Sequence, residues 1–195
     1  MTHFKLIVGL GNPGPRYADN RHNVGFQIVE AFAKTHGFTF SKTEHKAETA
    51  HGRIDGLRVI LAKPQTWMND SGRAVAPLAR FYKIDPDDIL VVYDDLDIPL
   101  DTVRFRDAGS SGGHRGVQSI MDNLGTDAFA RLRIGIGRPP GRMDPADYVL
   151  QDFSDEEAPL LWEVQRTARS LIEDWVLDEP ELQRQGMTWR VSLED

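Results

Sequence analysis

Four short stretches of this 195-residue chain carry the side chains best suited to chemistry. The first holds Asn12, Tyr17, Asn20, Arg21, His22 and Asn23. The second is Trp67-Met68-Asn69, and the third is Asp94-Asp95-Leu96-Asp97. The fourth is a glycine-rich run from Gly109 through His114 and Arg115 to Gly116. A histidine can act as general base near neutral pH, and a carboxylate can fix its tautomer and orientation. Amide side chains can orient a water or polarise a carbonyl. Together these groups suit direct attack of water on an activated ester, without a covalent intermediate. The chain has no Cys, which removes the thiol nucleophile and every Cys-ligated metal site. No H-E-x-x-H spacing occurs. Among the six His, His22 stands out because it lies beside Arg21 and Asn23, just after a glycine turn. His114 reads as a site residue or as a loop anchor. Asn12 and Asn69 also read as turn or helix caps. The acids Asp94 to Asp97 read alternatively as a solvated turn or a Mg²⁺ site. His3, His36, His45 and His51 read as surface or structural residues.

Each stretch follows a predicted strand. Phe4 to Leu10 is a short β-branched run ending in glycine. Ala47 to Ile54 and Leu57 to Ala62 form a hairpin around Asp55-Gly56. Ile89 to Tyr93 is a continuous apolar strand, and Thr102 to Arg106 and Leu132 to Ile136 alternate. Helical spacing predicts helices over Val24 to His36, Ala74 to Tyr82, Val117 to Leu124 and Glu156 to Leu177. This order implies an α/β fold: a single three-layer domain over 1–195, with a twisted mixed β-sheet flanked by helices. The acidic C-terminal region, about 154–195, reads as helical. In such sheets ligands bind outside the strands' carboxyl ends, so the four stretches are expected to share one pocket. Gly9-Leu-Gly11-Asn-Pro-Gly14 matches G-x-G-x-x-G, the dinucleotide fingerprint. The context argues against that use. Pro13, Pro15 and the polar run to Asn23 delay the helix that should start at the glycines.

Composition places the chain among ordinary globular proteins, at 40% hydrophobic and 27% charged residues. No apolar run reaches the length of a membrane span, and the N-terminus has no signal-peptide pattern, so the expected location is the cytoplasm. The net charge of -7 argues weakly against a nucleic-acid partner. Its distribution reverses that argument. Residues 102–142 hold seven Arg against three Asp, while residues 143–195 hold four Arg against 14 acids. A central basic stretch is hidden by an acidic tail.

The stretches KLIVGLGNPGPRYADNRHNVGF, KPQTWMNDSG, VVYDDLDIP, TVRFRDAGSSGGHRG and RLRIGIGRP follow in order across residues 4 to 142. In that order they resemble the bacterial-type peptidyl-tRNA hydrolase family. The resemblance implies a monomeric enzyme without metal or cofactor. It would cleave the ester between a peptide and the 3′ ribose of tRNA, releasing tRNA from stalled translation. It implies His22 as general base, Asp94 as its carboxylate, and Asn12 and Asn69 as the amides that position substrate and water. Tyr17, Trp67, Met68 and His114 would line the channel for the peptide and 3′ end. Arg106 and Arg133 would clamp the tRNA 5′ phosphate, with Arg104 nearby. At Arg115, counted with the substrate-binding residues, the best-known members carry Asn. Arg keeps donors, loses the acceptor and adds charge, which moves the position toward phosphate or gate contact. The rival is an RNA-binding, splicing-factor-like protein on the same fold without hydrolysis. Retention of His22 and Asp94 favours the enzyme.

Overall fold

The structure is a computed structural model that describes residues 3–179 and 187–193. Its centre is β1 (Phe4–Gly9), whose last four residues are buried between neighbours on both sides. β1 pairs in parallel with β4 (Leu57–Pro64) and with β5 (Ile89–Asp95). β5 in turn pairs in parallel with β7 (Ala130–Gly135). These strands read as apolar runs because both of their faces are covered. Antiparallel strands close the two sides. β3 (Ala47–Ile54) joins β4 as the expected hairpin, with β2 (Phe40–Glu44) outside it. β6 (Thr102–Arg106) joins β7, and β8 (Thr188–Arg190) joins β6. The order in the sheet is β2-β3-β4-β1-β5-β7-β6-β8.

Helices cover both faces. α1 (Val24–His36) and α5 (Ala158–Val176) bury Ile28, Phe32, Val164, Ile172 and Trp175 against one face. α2 (Gly72–Phe81) and α3 (Arg115–Leu124) bury Val75, Leu78, Val117 and Ile120 against the other. The arrangement is the expected mixed, three-layer α/β architecture.

Three elements differ from expectation. β2 has an exposed, polar middle, so neither period nor composition marks it as a strand. A short helix, α4 (Pro145–Val149), sits between β7 and α5 and is capped by the Asp144 carboxylate on the Ala146 N–H. The C-terminal region is not helical throughout: β8 lies within it, with Trp189 packed on the core, while 180–186 and 194–195 lie outside the described residues.

The glycine motif serves packing. A Cβ on Gly25 would come within 2.3 Å of the Val92 carbonyl oxygen, and one on Gly9 within 2.3 Å of the Gly25 carbonyl oxygen. α1 therefore begins in near-contact with β1 and β5. It starts at Val24, after two 3₁₀ turns over Pro15–Tyr17 and Arg21–Asn23, and not at the glycines where a pyrophosphate would need it.

Candidate active site

The exits of β1, β4 and β5 and the start of α3 surround one cavity of about 640 Å³. Asn12, His22, Trp67, Met68, Asn69, Asp94, Asp95 and Asp97 line it. His114 and Arg115 come from the glycine-rich loop and α3. Asp144, Pro145, Ala146, Val149 and Leu150, from α4 and its flanks, line it as well.

Asn12 holds two of these exits together. Its backbone N–H donates to Asn23 Oδ1 at 2.9 Å, and Asn23 Nδ2 donates back to the Asn12 carbonyl at 2.9 Å. Asn12 Oδ1 accepts the Met68 N–H at 2.8 Å. The amide's acceptor is thus used internally, which leaves Nδ2 as the donor available to a ligand. Asn69 is exposed in the turn Met68–Asp70 and does not cap α2, whose N-cap is Ser71.

Asp94 ends the buried part of β5 and is 3% exposed. Its Oδ2 lies 2.8 Å from His22 Nδ1, and its Oδ1 lies 2.9 Å from His114 Nε2. The His114 tautomer follows from its other nitrogen. Nδ1 caps α3 by accepting the N–H groups of Gly116 and Val117 at 3.2 and 3.3 Å. Nε2 must therefore carry the proton that Asp94 accepts. His114 is both a site residue and a loop anchor. For His22, donation from Nδ1 to Asp94 leaves Nε2 unprotonated, as a base requires. Burial disfavours the charged imidazole, but the charge and hydrogen bond of Asp94 outweigh it and raise the His22 pKa. Burial opposes ionisation of Asp94 too, and the two imidazoles overcome it, holding the carboxyl well below its ordinary range.

Among the described residues, His22, Asp94 and His114 are the one group of side chains able to converge on a metal ion. The capping role of His114 Nδ1 keeps a proton on the very nitrogen that a metal would need, so the triad fits hydrogen bonding better than coordination. The neighbouring acids are also committed elsewhere. Asp95 pairs with Arg133 at 2.8 Å, and Asp97 accepts from Arg138 Nε at 3.0 Å. The Mg²⁺ alternative loses its ligands to these arginines.

A buried carboxylate that orients a histidine toward a water-accessible cavity lined by amides is hydrolase chemistry. The family model described as peptidyl-tRNA hydrolase matches residues 6–190. The chain belongs to the peptidyl-tRNA hydrolase family. It is 59% identical to the peptidyl-tRNA hydrolase of Chloroflexus aggregans, over 82% of this chain and 85% of that one. It is 53% identical to that of Moorella thermoacetica, over 89% and 94%. A solved peptidyl-tRNA hydrolase from Acinetobacter baumannii superimposes with a TM-score of 0.85 at 37% identity, covering 93% of this chain and 92% of that one.

The remaining expected residues of this family member divide between the cavity's edge and a basic strand pair. Trp67 is 56% exposed on the rim, and Tyr17 packs edge-on against it at 5.8 Å, just outside the lining. The arginines form a block of four. Arg104 sits opposite Arg133, and Arg106 opposite Arg131, across β6 and β7. Like charges placed opposite each other across strands destabilise a sheet, so the block is maintained against the sheet's interest. Arg106, Arg131, Arg133 and Tyr93 line a second recess of about 40 Å³, which shares Ser111 and Gly112 with the main cavity. Arg104 stays outside that recess.

One residue escaped sequence reasoning. Arg131 is 1% exposed and donates to the carbonyls of Ser110 and Asp127 at 2.8 and 2.9 Å, which props the glycine-rich loop from below. The alternation in Arg131-Leu132-Arg133 put it on the face of Arg133, and that was the available signal. Arg21 donates to both Glu157 oxygens at 3.0 and 2.9 Å and lies 4.4 Å from the Tyr148 ring centre and 5.0 Å from that of Phe153. It fastens α4 and the segment that follows it to the turn that carries His22.

Proposed function

We propose that this cleft hydrolyses the ester between a peptide and the 3′ ribose of tRNA. The observation that carries the reading is the His22–Asp94 pair, with Nδ1 committed to the carboxylate and Nε2 free toward a cavity large enough for a substrate end. His22 Nε2 takes a proton from water, and the resulting hydroxide attacks the ester carbonyl. Asp94 stabilises the imidazolium that forms. Asn12 Nδ2 and the Asn69 amide orient the carbonyl and the water, and a donor aimed at the developing oxyanion is worth about 3 kcal/mol. The imidazolium then returns the proton to the leaving 3′ oxygen, so no group is left modified. Trp67 and Met68 receive the peptide and terminal base, with Tyr17 behind Trp67. Arg106 and Arg133 take a tRNA phosphate, with Arg104 in support.

Every group in this scheme comes from one chain, which supports action as a monomer in one domain without a metal or cofactor. Among the described residues, no helix is long and apolar enough to cross a membrane. Together with the tRNA substrate, this supports a cytoplasmic site of action. An RNA-binding protein without hydrolysis has no use for a base held by a buried carboxylate, and the family match favours the hydrolase.

The test is hydrolysis of an N-acetyl-aminoacyl-tRNA by His22→Ala. Turnover should vanish while tRNA binding remains. A variant with near-normal turnover would sink the assignment.

A further inference from the structure

Among the described residues, the charged groups lining the cavity are paired, with one exception. Asp94 accepts from His22 and His114, and Asp95 and Asp97 hold Arg133 and Arg138. Asp144 accepts the Ala146 N–H at 2.9 Å. Arg115 lines the same cavity, is exposed, and has no hydrogen-bond or ionic partner there. It also breaks a local rule. It is the first residue of α3, where the helix dipole disfavours a cation, and no acid in that turn offsets it. A charge kept at a cost to its own helix, pointing at solvent in a substrate cavity, is a functional residue.

We propose that Arg115 binds the phosphodiester joining the last two nucleotides of the substrate RNA. This rests on the hydrolase reading. Arg115 follows His114 directly, and the His114 ring lies 5.2 Å from that of His22. The ester under attack is on the 3′-terminal ribose, so the first fixed anion of the substrate is the phosphate on the other side of that same ribose. The α4 segment offers the peptide only apolar surface and the already engaged Asp144, whereas every tRNA presents this phosphate at the same distance from its ester. Arg115 therefore measures the substrate's RNA end and sets the ester in register with His22.

The test uses two small substrates, each an N-acetyl-aminoacyl ester on the 3′ oxygen of adenosine, one with and one without a 5′ methylphosphate diester. The wild type should favour the phosphorylated ester by about tenfold in kcat/KM, as a charge-assisted contact gives. In Arg115→Gln that preference should collapse toward one, and Arg115→Lys should keep most of it. Binding of an uncharged RNA hairpin with a single-stranded 3′ end should lose about one unit of salt slope in Arg115→Gln. The melting temperature should hold or rise, because an unfavourable cation leaves the helix start. An undiminished preference in Arg115→Gln, or equal losses on both esters, overturns the proposal. If the wild type cleaves neither ester nor peptidyl-tRNA, the hydrolase reading fails instead, and the salt slope still reports on Arg115.

Discussion

Replacing Asp94 by Asn tests the geometry of the triad more sharply than removing His22. The variant keeps the shape and removes the charge. Imidazolium and carboxylate centres about 4 Å apart, at an effective dielectric of about 20, attract by about 4 kcal/mol. Loss of that attraction in the transition state is about 10³ in rate. The hydrogen bonds add to it. Asp94 accepts from two rings, whereas a carboxamide offers one oxygen and one donating NH₂ group. His114 cannot change tautomer, because its Nδ1 is held by the Gly116 and Val117 N–H groups. The carboxamide oxygen therefore goes to His114, and the NH₂ group faces His22 Nδ1. That nitrogen must then accept, which moves the His22 proton to Nε2 and removes the base. The combined loss should approach about 10⁴, similar to the effect of a wrong tautomer in serine proteases. The assay is single-turnover cleavage of N-acetyl-aminoacyl-tRNA at saturating enzyme, followed against pH. The wild-type rate should climb as His22 loses its proton, with an inflection above the ordinary histidine value because Asp94 raises that pKa. In Asp94→Asn only burial remains, so the inflection should fall below the ordinary value. Adding His114→Gln frees the carboxamide oxygen for His22 Nδ1–H and should restore roughly tenfold, the tautomer without the charge. A loss below tenfold, or an unmoved inflection, refutes the reasoning.

Other outcomes follow from the surrounding charges. Arg106 is exposed and bears no ionic partner among the described residues, so Arg106→Ala should raise KM for tRNA substrates at constant kcat and lower the salt slope by about one. Arg133→Ala should do more than this, because it strands Asp95 at 11% side-chain exposure, and a comparison of the two salt titrations separates the effects. Arg21→Met removes one half of a pair whose arginine side chain is 7% exposed and should cost about 3–5 kcal/mol in denaturant titration. Arg21→Met with Glu157→Met should cost less than the sum of the single changes, and simple additivity would contradict the pairing. Burial alone would raise the Glu44 pKa, but hydrogen bonds from Thr49, Tyr82 and His51 lower it to about 2. A depressed carboxyl stabilises the fold above its unfolded pKa and loses that contribution as pH falls through the folded value. Stability should therefore decline between about pH 4.5 and pH 2, and Glu44→Gln should flatten this decline in acid denaturation.

The groups that the structure brings to the cavity could be read from the sequence because two local signals coincide at each of them. His22, Asn12, Asn69 and Asp94 are polar residues next to strand exits, and strand exits of an open α/β sheet face the ligand. The hydrogen bonds that assign their roles join residues distant in sequence, such as Asn12 Oδ1 to the Met68 N–H and Asp94 to His22. No periodicity reports such pairings. Registers are equally invisible, and so Arg131 passed unnoticed until β6 and β7 set it opposite Arg106. β2 and β8 were missed for a related reason. An edge strand buries little, so its residues need not alternate, and its identity comes from the neighbour that accepts its hydrogen bonds. The charge count misled in the opposite sense. It summed an acidic C-terminal region with a basic block that the sheet keeps concentrated on one face beside the cleft. A substrate meets that local field and not the total, since exposed charges more than about 10 Å apart are largely screened at moderate salt. An acidic protein can therefore bind RNA at one basic edge.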